Sequence, residues 1–289
     1  MFVVTGASGN VGGATARALL KAGREVRVVL RDAAKAAPWE ALGAEVAIAE
    51  LSDTPALTQA FAGAEGVFAM MPPQFAPDRN YSFARKTAAE LVAALKAARP
   101  GRVVALSSIG GGRESGLGLI TQVHILEQAL SELDLPTAYL RPGWFMENSA
   151  WDVAPSRDMG QMPSFLQPID KGYPMIATRD IGEIAARVLA EDWSGRRVIE
   201  IEGPKRYSQV EIAALMGAAV GREVKLQPIP RNAWEALFQS QGTEDPAPRI
   251  EMIDGFNSGW IDFEPGLHEH VAGTTTFKAM LDELVAKTN

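Results

Sequence analysis

The 289-residue sequence has no cysteine, which excludes a disulfide framework, a thiolate metal site and a cysteine nucleophile and leaves no sign of an oxidising compartment. Histidine is nearly as scarce. His124 lies far along the chain from the His268-x-His270 pair, so no zinc or other metal site is expected, and His268 and His270 read as a polar surface stretch. No apolar run approaches the roughly 20 residues that a membrane-crossing helix needs. Met1 runs straight into apolar residues, with no room for a cleaved leader, and a cytoplasmic protein with no membrane association is expected. Dense basic runs are missing too: 28 Lys and Arg against 35 Asp and Glu give a net charge of −7, which argues against direct nucleic-acid binding. There is no internal repeat and no low-complexity tract.

What is present begins at once. Phe2-Val3-Val4 is an apolar, β-branched run suited to a strand buried on both faces. The turn Thr5-Gly6-Ala7-Ser8-Gly9-Asn10-Val11-Gly12 follows. Val11, Thr15, Ala18, Leu19 and Ala22 then fall at helical spacing, Gly23 stands where a helix ends, and 26–30 restores a strand. Strand, glycine turn, helix and strand together make a dinucleotide site. One glycine permits the sharp exit, one lets backbone amides approach a pyrophosphate, and one lets the helix pack close to the sheet. The expected contacts are Gly6, Ser8, Gly9, Asn10, Val11 and Gly12, at the helix N-terminus. An acidic residue after the second strand would accept from a ribose 2′-OH, whereas an arginine pairs with a 2′-phosphate. Here Arg31 comes first and Asp32 second, which favours NADPH, with NADH the alternative should Asp32 turn inward.

Further strands are expected at 44–49, 66–71, 103–106, 137–140 and 198–201, alternating with helices. The alternation implies an α/β fold, a Rossmann-like doubly wound parallel sheet. Strand ends place Met70, Met71 and Pro72 at the cofactor crevice, and Ser107 and Ser108 there as substrate contacts or as hydroxyls that satisfy their own loop. Arg141 to Asn148 leaves the sixth strand rich in aromatics; Gly143 is a cofactor contact, and Trp144, Phe145 and Asn148 face the nicotinamide. Periodicity vanishes across 151–175, a substrate lid or a plain surface loop. Asp78 and Asp180 are expected helix caps, Ser208-Gln209-Val210-Glu211 is a capping box, and 242–248 reads as a Gly/Pro-rich connection before a last helix on Phe277, Met280, Leu281, Leu284 and Val285. Residues 1–150, with a returning helix and strand over 176–203, form the dinucleotide-binding domain; 151–175 and 204–289 form a smaller, helix-rich C-terminal lobe over the substrate.

The glycine turn, Arg31 after the second strand, Leu140-Arg141-Pro142-Gly143-Trp144-Phe145-Met146-Glu147-Asn148, Asp180-Ile181-Gly182 and Glu202-Gly203-Pro204 before the Ser208 box resemble the NmrA-like atypical short-chain dehydrogenase/reductases. The resemblance runs over most of the chain and is weakest across 151–175 and after 242. It implies cofactor contacts from Gly6 to Gly12, Arg31, the end of the fourth strand and the Gly143 to Asn148 loop. Members of that family include reductases of quinones and triphenylmethanes as well as non-catalytic sensors that act through a protein partner, so the resemblance implies binding before it implies turnover.

Short-chain relatives that reduce ordinary carbonyls use a Tyr-x-x-x-Lys pair as proton donor. Tyr81, Tyr139, Tyr173 and Tyr207 are followed four positions on by Arg85, Gly143, Ala177 and Glu211, so that pair is missing. A quinone accepts hydride readily, and water can protonate the anion formed, leaving positioning as the main task. The first expectation is therefore an NADPH-dependent oxidoreductase acting on a small quinone-like or conjugated aromatic substrate. The second is a redox sensor with a regulatory protein partner. The third is a reductase of a metabolite carbonyl or double bond with His124 as catalytic acid, since His124 lies one position off the apolar stripe of its helix.

Overall fold

Because Phe2, Val3 and Val4 are all buried, the first strand has to lie between two helical layers, and it does. The structure is a computed structural model in which residues 1–287 are described. In chain order it forms β1 (Phe2–Val4), α1 (Asn10–Lys21), β2 (Val26–Leu30), α2 (Ala37–Glu40), β3 (Glu45–Ile48), α3 (Thr54–Phe61), β4 (Gly66–Ala69), α4 (Ser82–Ala98), β5 (Val103–Leu106), α5 (Thr121–Leu130) and β6 (Thr137–Pro142). Then come β7 (Trp144–Phe145), α6 (Ala150–Met159), β8 (Gln161–Ser164), β9 (Met175–Ile176), α7 (Thr178–Ala190) and β10 (Arg196–Glu202). The chain closes with α8 (Gln209–Val220), β11 (Lys225–Pro228), α9 (Trp234–Ser240), α10 (Ala247–Ser258), β12 (Glu269–Ala272) and α11 (Phe277–Lys287).

Eight strands form one sheet in the order β12-β10-β6-β5-β4-β1-β2-β3. Every pairing in it is parallel. The strand order reverses between β1 and β4, and the crevice outside their carboxyl ends is where a doubly wound sheet takes its ligand. One face is covered by α1 and α7 around Val11, Leu19, Ile181 and Leu189, and the other by α3, α4 and α5 around Leu57, Leu91, Leu95 and Leu126. A third cluster, with Trp234, Phe238, Phe256 and Phe277 at its centre, gathers α8 to α11 beside the sheet, where β8 pairs with β11 and β7 with β9.

Several elements differ from the sequence expectation. The stretch without periodicity contains α6 and β8; Pro155 inside α6 removes one helical N–H, which is why no helical signal is legible there. The Gly/Pro-rich connection runs directly into α10, whose Pro248 occupies an N-terminal position that tolerates proline. Asp180 does not cap α7. That helix starts at Thr178, and Asp180 in its first turn takes hydrogen bonds from Thr275 N (2.8 Å) and Thr275 Oγ1 (2.6 Å), while Glu147 Oε1 takes Thr178 N at 2.8 Å. The Ser208 capping box forms as its spacing requires. β12 was unforeseen because its Glu269-His270 pair is exposed and carries no apolar pattern.

Candidate functional site

The glycine turn is held by close packing. Thr5 Oγ1 donates to Phe68 O and accepts from Met70 N, each at 3.1 Å, so β1 and β4 leave the sheet tied together. Gly6 has φ +66°, and a Cβ there would lie 2.2 Å from Met70 Sδ; a Cβ on Gly12 would lie 2.4 Å from Gly6 O. Ser8, Gly9 and Asn10 are exposed at the mouth of the turn. The N-terminus of α1 has neither a side-chain cap nor an acidic residue in its first turn, which leaves its amides and its dipole for an anion. These features fit a dinucleotide pyrophosphate.

At the end of β2 the two candidate ribose residues have different fates. Asp32 Oδ1 takes Ala34 N at 2.9 Å and caps its own 3-10 turn. Arg31 is exposed and has no hydrogen bond or ion pair with the described residues. Of the residues after β4, Met70 packs on Gly6 and Pro72 is half-buried, whereas the Met71 side chain is turned into the core beneath α3 and α4 and does not join the aromatic loop.

Where β5 and β6 end lies a buried polar network, and it engages the Ser107 hydroxyl, for which substrate contact and satisfaction of its own loop are the two expectations. Ser107, only 5% exposed, donates from Oγ to Glu127 Oε1 at 2.5 Å. Arg141 forks onto the same carboxylate, Nε to Oε1 at 3.0 Å and Nη2 to Oε2 at 2.7 Å. Burial opposes the charge on Arg141, but hydrogen bonding and attraction from Glu127, with Glu264 and Glu200 behind it, hold its pKa above the ordinary value. Tyr139 donates to Glu127 O, and burial with the nearby Glu127 charge pushes its phenol up to about 12. The loop glycines are shaped to this network: a Cβ on Gly111 would lie 2.5 Å from Ser107 Oγ, and one on Gly112 would lie 2.6 Å from Arg141 Nη2. His268 belongs to it as well, with Nε2 between Arg141 Nη1 (3.2 Å) and Glu264 Oε2 (3.3 Å).

Ser108 is half-buried beside the network. His124 is half-buried, points Nδ1 at Gly111 O (2.9 Å) and lines a groove between α4 and α5 with Arg85 and Gln128. Gly143 donates to Ile201 O at 2.9 Å, and a Cβ on it would meet Pro174 O at 2.5 Å, so only glycine lets β9 approach. Trp144 and Phe145 are half-buried; Trp144 sits edge-on to Phe256 at 5.2 Å and Phe145 packs toward the α1 side of the sheet. Asn148 is exposed.

Two features had no usable sequence signal. Glu127 and Arg141 lie on different elements, with no spacing that pairs them. Asp152, in the first turn of α6, is half-buried, and burial alone raises its carboxyl to about 7. Among the described residues, no group of His, Asp and Glu is arranged to hold a metal, and no helix is long and apolar enough to cross a membrane.

A parallel sheet with an uncapped glycine turn at its topological switch point defines a Rossmann-like dinucleotide-binding protein. The chain belongs to the NmrA-like family, whose model matches residues 1–264. It is 28% identical over 226 residues to an NAD(P)H azoreductase of Xenophilus azovorans, covering 78% of this chain and 76% of that one. It is 27% identical over 251 residues to quinone oxidoreductase 2 of Escherichia coli (strain K12), covering 85% and 83%. Among solved structures, the NADPH-dependent quinone oxidoreductase of Escherichia coli complexed with NADPH superposes with a TM-score of 0.80 at 24% identity, covering 98% of this chain and 99% of that one. The Citrobacter sp. triphenylmethane reductase complexed with NADP(H) also gives 0.80, at 19% identity with the same coverage.

Proposed function

We propose that this protein is an NADPH-dependent reductase that directs hydride to a quinone-like or other conjugated aromatic acceptor. The observation that carries the cofactor choice is at the end of β2: Asp32 is committed to its own turn while Arg31 stands free for a 2′-phosphate. When bound, the dihydronicotinamide supplies the hydride. The protein supplies the anion site at α1, the fixed loops at Ser107 and Gly143, and two half-buried rings on β7, Phe145 toward the α1 side of the sheet and Trp144 toward Phe256. The named relatives support the acceptor class, because reductases of azo compounds and quinones share most of the chain. Residues 1–150 with 176–203 carry the dinucleotide, joined by β12, which returns to the main sheet beside β10, and 151–175 with the rest of 204–289 cover the acceptor; 288 and 289 lie outside the described residues.

The test is a pair of titrations with NADPH and NADP⁺, each repeated with a quinone while the reduced-nicotinamide absorbance is followed. Loss of the band on adding quinone is the expected result. Tight binding that distinguishes the two oxidation states without consumption across a quinone, azo-dye and enone panel would replace the reductase by a sensor. Arg31→Ala is expected to weaken NADPH by about 1.5–3 kcal/mol, the worth of a charge-assisted hydrogen bond, and to leave NADH nearly unchanged. Equal losses would remove Arg31 from the 2′-phosphate site.

A further inference from the structure

His268 stands in the turn before β12 with its side chain 18% exposed, and one nitrogen of its ring has two incompatible neighbours. Nε2 lies 3.2 Å from Arg141 Nη1 and 3.3 Å from Glu264 Oε2. Arginine only donates and an ionised carboxylate only accepts, so a ring nitrogen satisfies one of them at a time. With a lone pair on Nε2 it accepts from Arg141. With a proton there it donates to Glu264.

Burial decides between the two while the ring is uncharged. Arg141 spends Nε and Nη2 on Glu127, and among the described residues Nη1 has no hydrogen-bond partner other than His268. A buried N–H left unpaired costs more than a carboxylate oxygen that meets water, and Glu264 is about a third exposed, with Arg113 Nη2 3.9 Å from its other oxygen. The neutral ring therefore carries its proton on Nδ1 and accepts from Arg141. A second proton reverses this, because N–H then faces N–H at Arg141 with like charges, and Glu264 becomes the partner.

Arg141 in turn fixes the loop that leaves the carboxyl end of β5. It forks onto Glu127, whose Oε1 takes Ser107 Oγ, and the Gly112 backbone packs so closely on the guanidinium that a Cβ would lie 2.6 Å from Nη2 and 2.7 Å from Nη1. In so tight a contact the guanidinium cannot turn toward a new partner without moving that backbone.

We propose that His268 is a positioning residue for the dinucleotide crevice. Uncharged, it anchors Arg141 and, through Glu127 and Gly112, the 107–112 loop; protonated, it passes to Glu264 and releases that loop, which lowers dinucleotide affinity in acid. This goes beyond the reductase reading and needs only that the dinucleotide binds. Histidine is the side chain whose ordinary charge change falls between about pH 5 and 8. The charged groups around the ring are Arg141 on β6, Glu127 on α5, Glu264 with Glu200 of β10 behind it, and Arg113 of the loop after β5. Farther along, Glu202 is engaged by His270 and Arg206, and Glu269 by Arg197. His124 is the other imidazole bonded to the 107–112 loop, at Gly111 O.

The test is NADP⁺ affinity from about pH 8 to about pH 5 in wild type and in His268→Gln. Glutamine offers a carbonyl to Arg141 and an N–H to Glu264 at every pH, and the ratio of the two proteins cancels titration of the 2′-phosphate and of His124. The affinities should agree within about twofold at the alkaline end, and at the acid end wild type should be weaker by about fivefold or more, the low end of ordinary coupling between linked sites. A ratio that does not change with pH, or a variant already weaker at the alkaline end, would overturn the proposal. Nitrogen-15 NMR supplies a readout that needs neither ligand nor a folded His268 variant. In the His124→Gln, His270→Gln double variant, which leaves His268 as the one imidazole, the neutral ring should carry its proton on Nδ1. The amides of Gly111 and Gly112 should shift with the same midpoint as that ring. A neutral ring protonated on Nε2, or loop amides that stay still as the ring titrates, would also overturn it.

Discussion

Replacing Arg141 by methionine removes the cation from a pair whose side chains are only 9% and 8% exposed, and leaves the Glu127 carboxylate buried with Ser107 as its remaining side-chain donor. Breaking a buried pair from one side costs about 3–5 kcal/mol, because the surviving charge is uncompensated. At an unfolding entropy of about 2.1 cal/mol/K per residue, that cost lowers Tm by roughly 5–8 °C for a chain of this size. Urea unfolding followed by tryptophan fluorescence measures the loss. Removing the three side chains at its centre, with Arg141→Leu, Glu127→Met and Ser107→Ala together, is expected to recover most of it, since apolar groups of similar volume owe no desolvation. A single variant within 1 kcal/mol of wild type, or a triple variant less stable than Arg141→Met, would refute the claim that this network is an interdependent buried ion pair.

Gly182→Ala places a methyl 2.4 Å from Ala14 Cβ and 2.7 Å from Thr15 N. It is expected to cost about 1–3 kcal/mol by overpacking and to weaken dinucleotide affinity as α1 is displaced, read by urea unfolding and an NADPH titration. Ser208→Ala breaks the capping box of α8 and should cost about 0.5–2 kcal/mol in the same unfolding assay without changing that affinity. Asp152 makes stability depend on pH. Unfolded, it releases its proton near 3.8, whereas folded it holds it to about 7, so stability falls as pH rises through that window and then levels off. Asp152→Asn should therefore match wild type near pH 4 and exceed it above pH 7 by up to about 4 kcal/mol. Parallel stability curves from pH 4 to 8 would refute this.

The parts of the fold legible in the sequence are those whose cause is local. β1, the glycine turn and α1 follow from a β-branched run, three glycines and a helical stripe, and the Ser208 box follows from two residues three apart. α6 was hidden by Pro155 and α10 by the glycines and prolines before it, although a proline near a helix start is harmless. β12 was hidden because only Val271 and Ala272 of its four residues are apolar. The site divides in the same way. Gly6, Gly12 and Gly143 announce themselves by residue type, since a side chain would strike backbone oxygen or Met70. The commitment of Ser107 to Glu127 depends on β5, α5 and β6 converging, and no spacing along the chain encodes that convergence.

The close approach of Gly182 to Ala14 also bears on how the molecule is made. The helix that carries the glycine turn directly follows the first strand of the main sheet, yet the helix that buries its flank is synthesised only after six strands of that sheet. Contacts this distant in sequence form slowly, because the intervening chain must be ordered before they are rewarded. A growing chain stopped before α7 presents the apolar flank of α1, with Val11 and Leu19, to solvent and to other chains. The glycine turn, although it precedes α7 along the chain, therefore gains its buttress only late in synthesis.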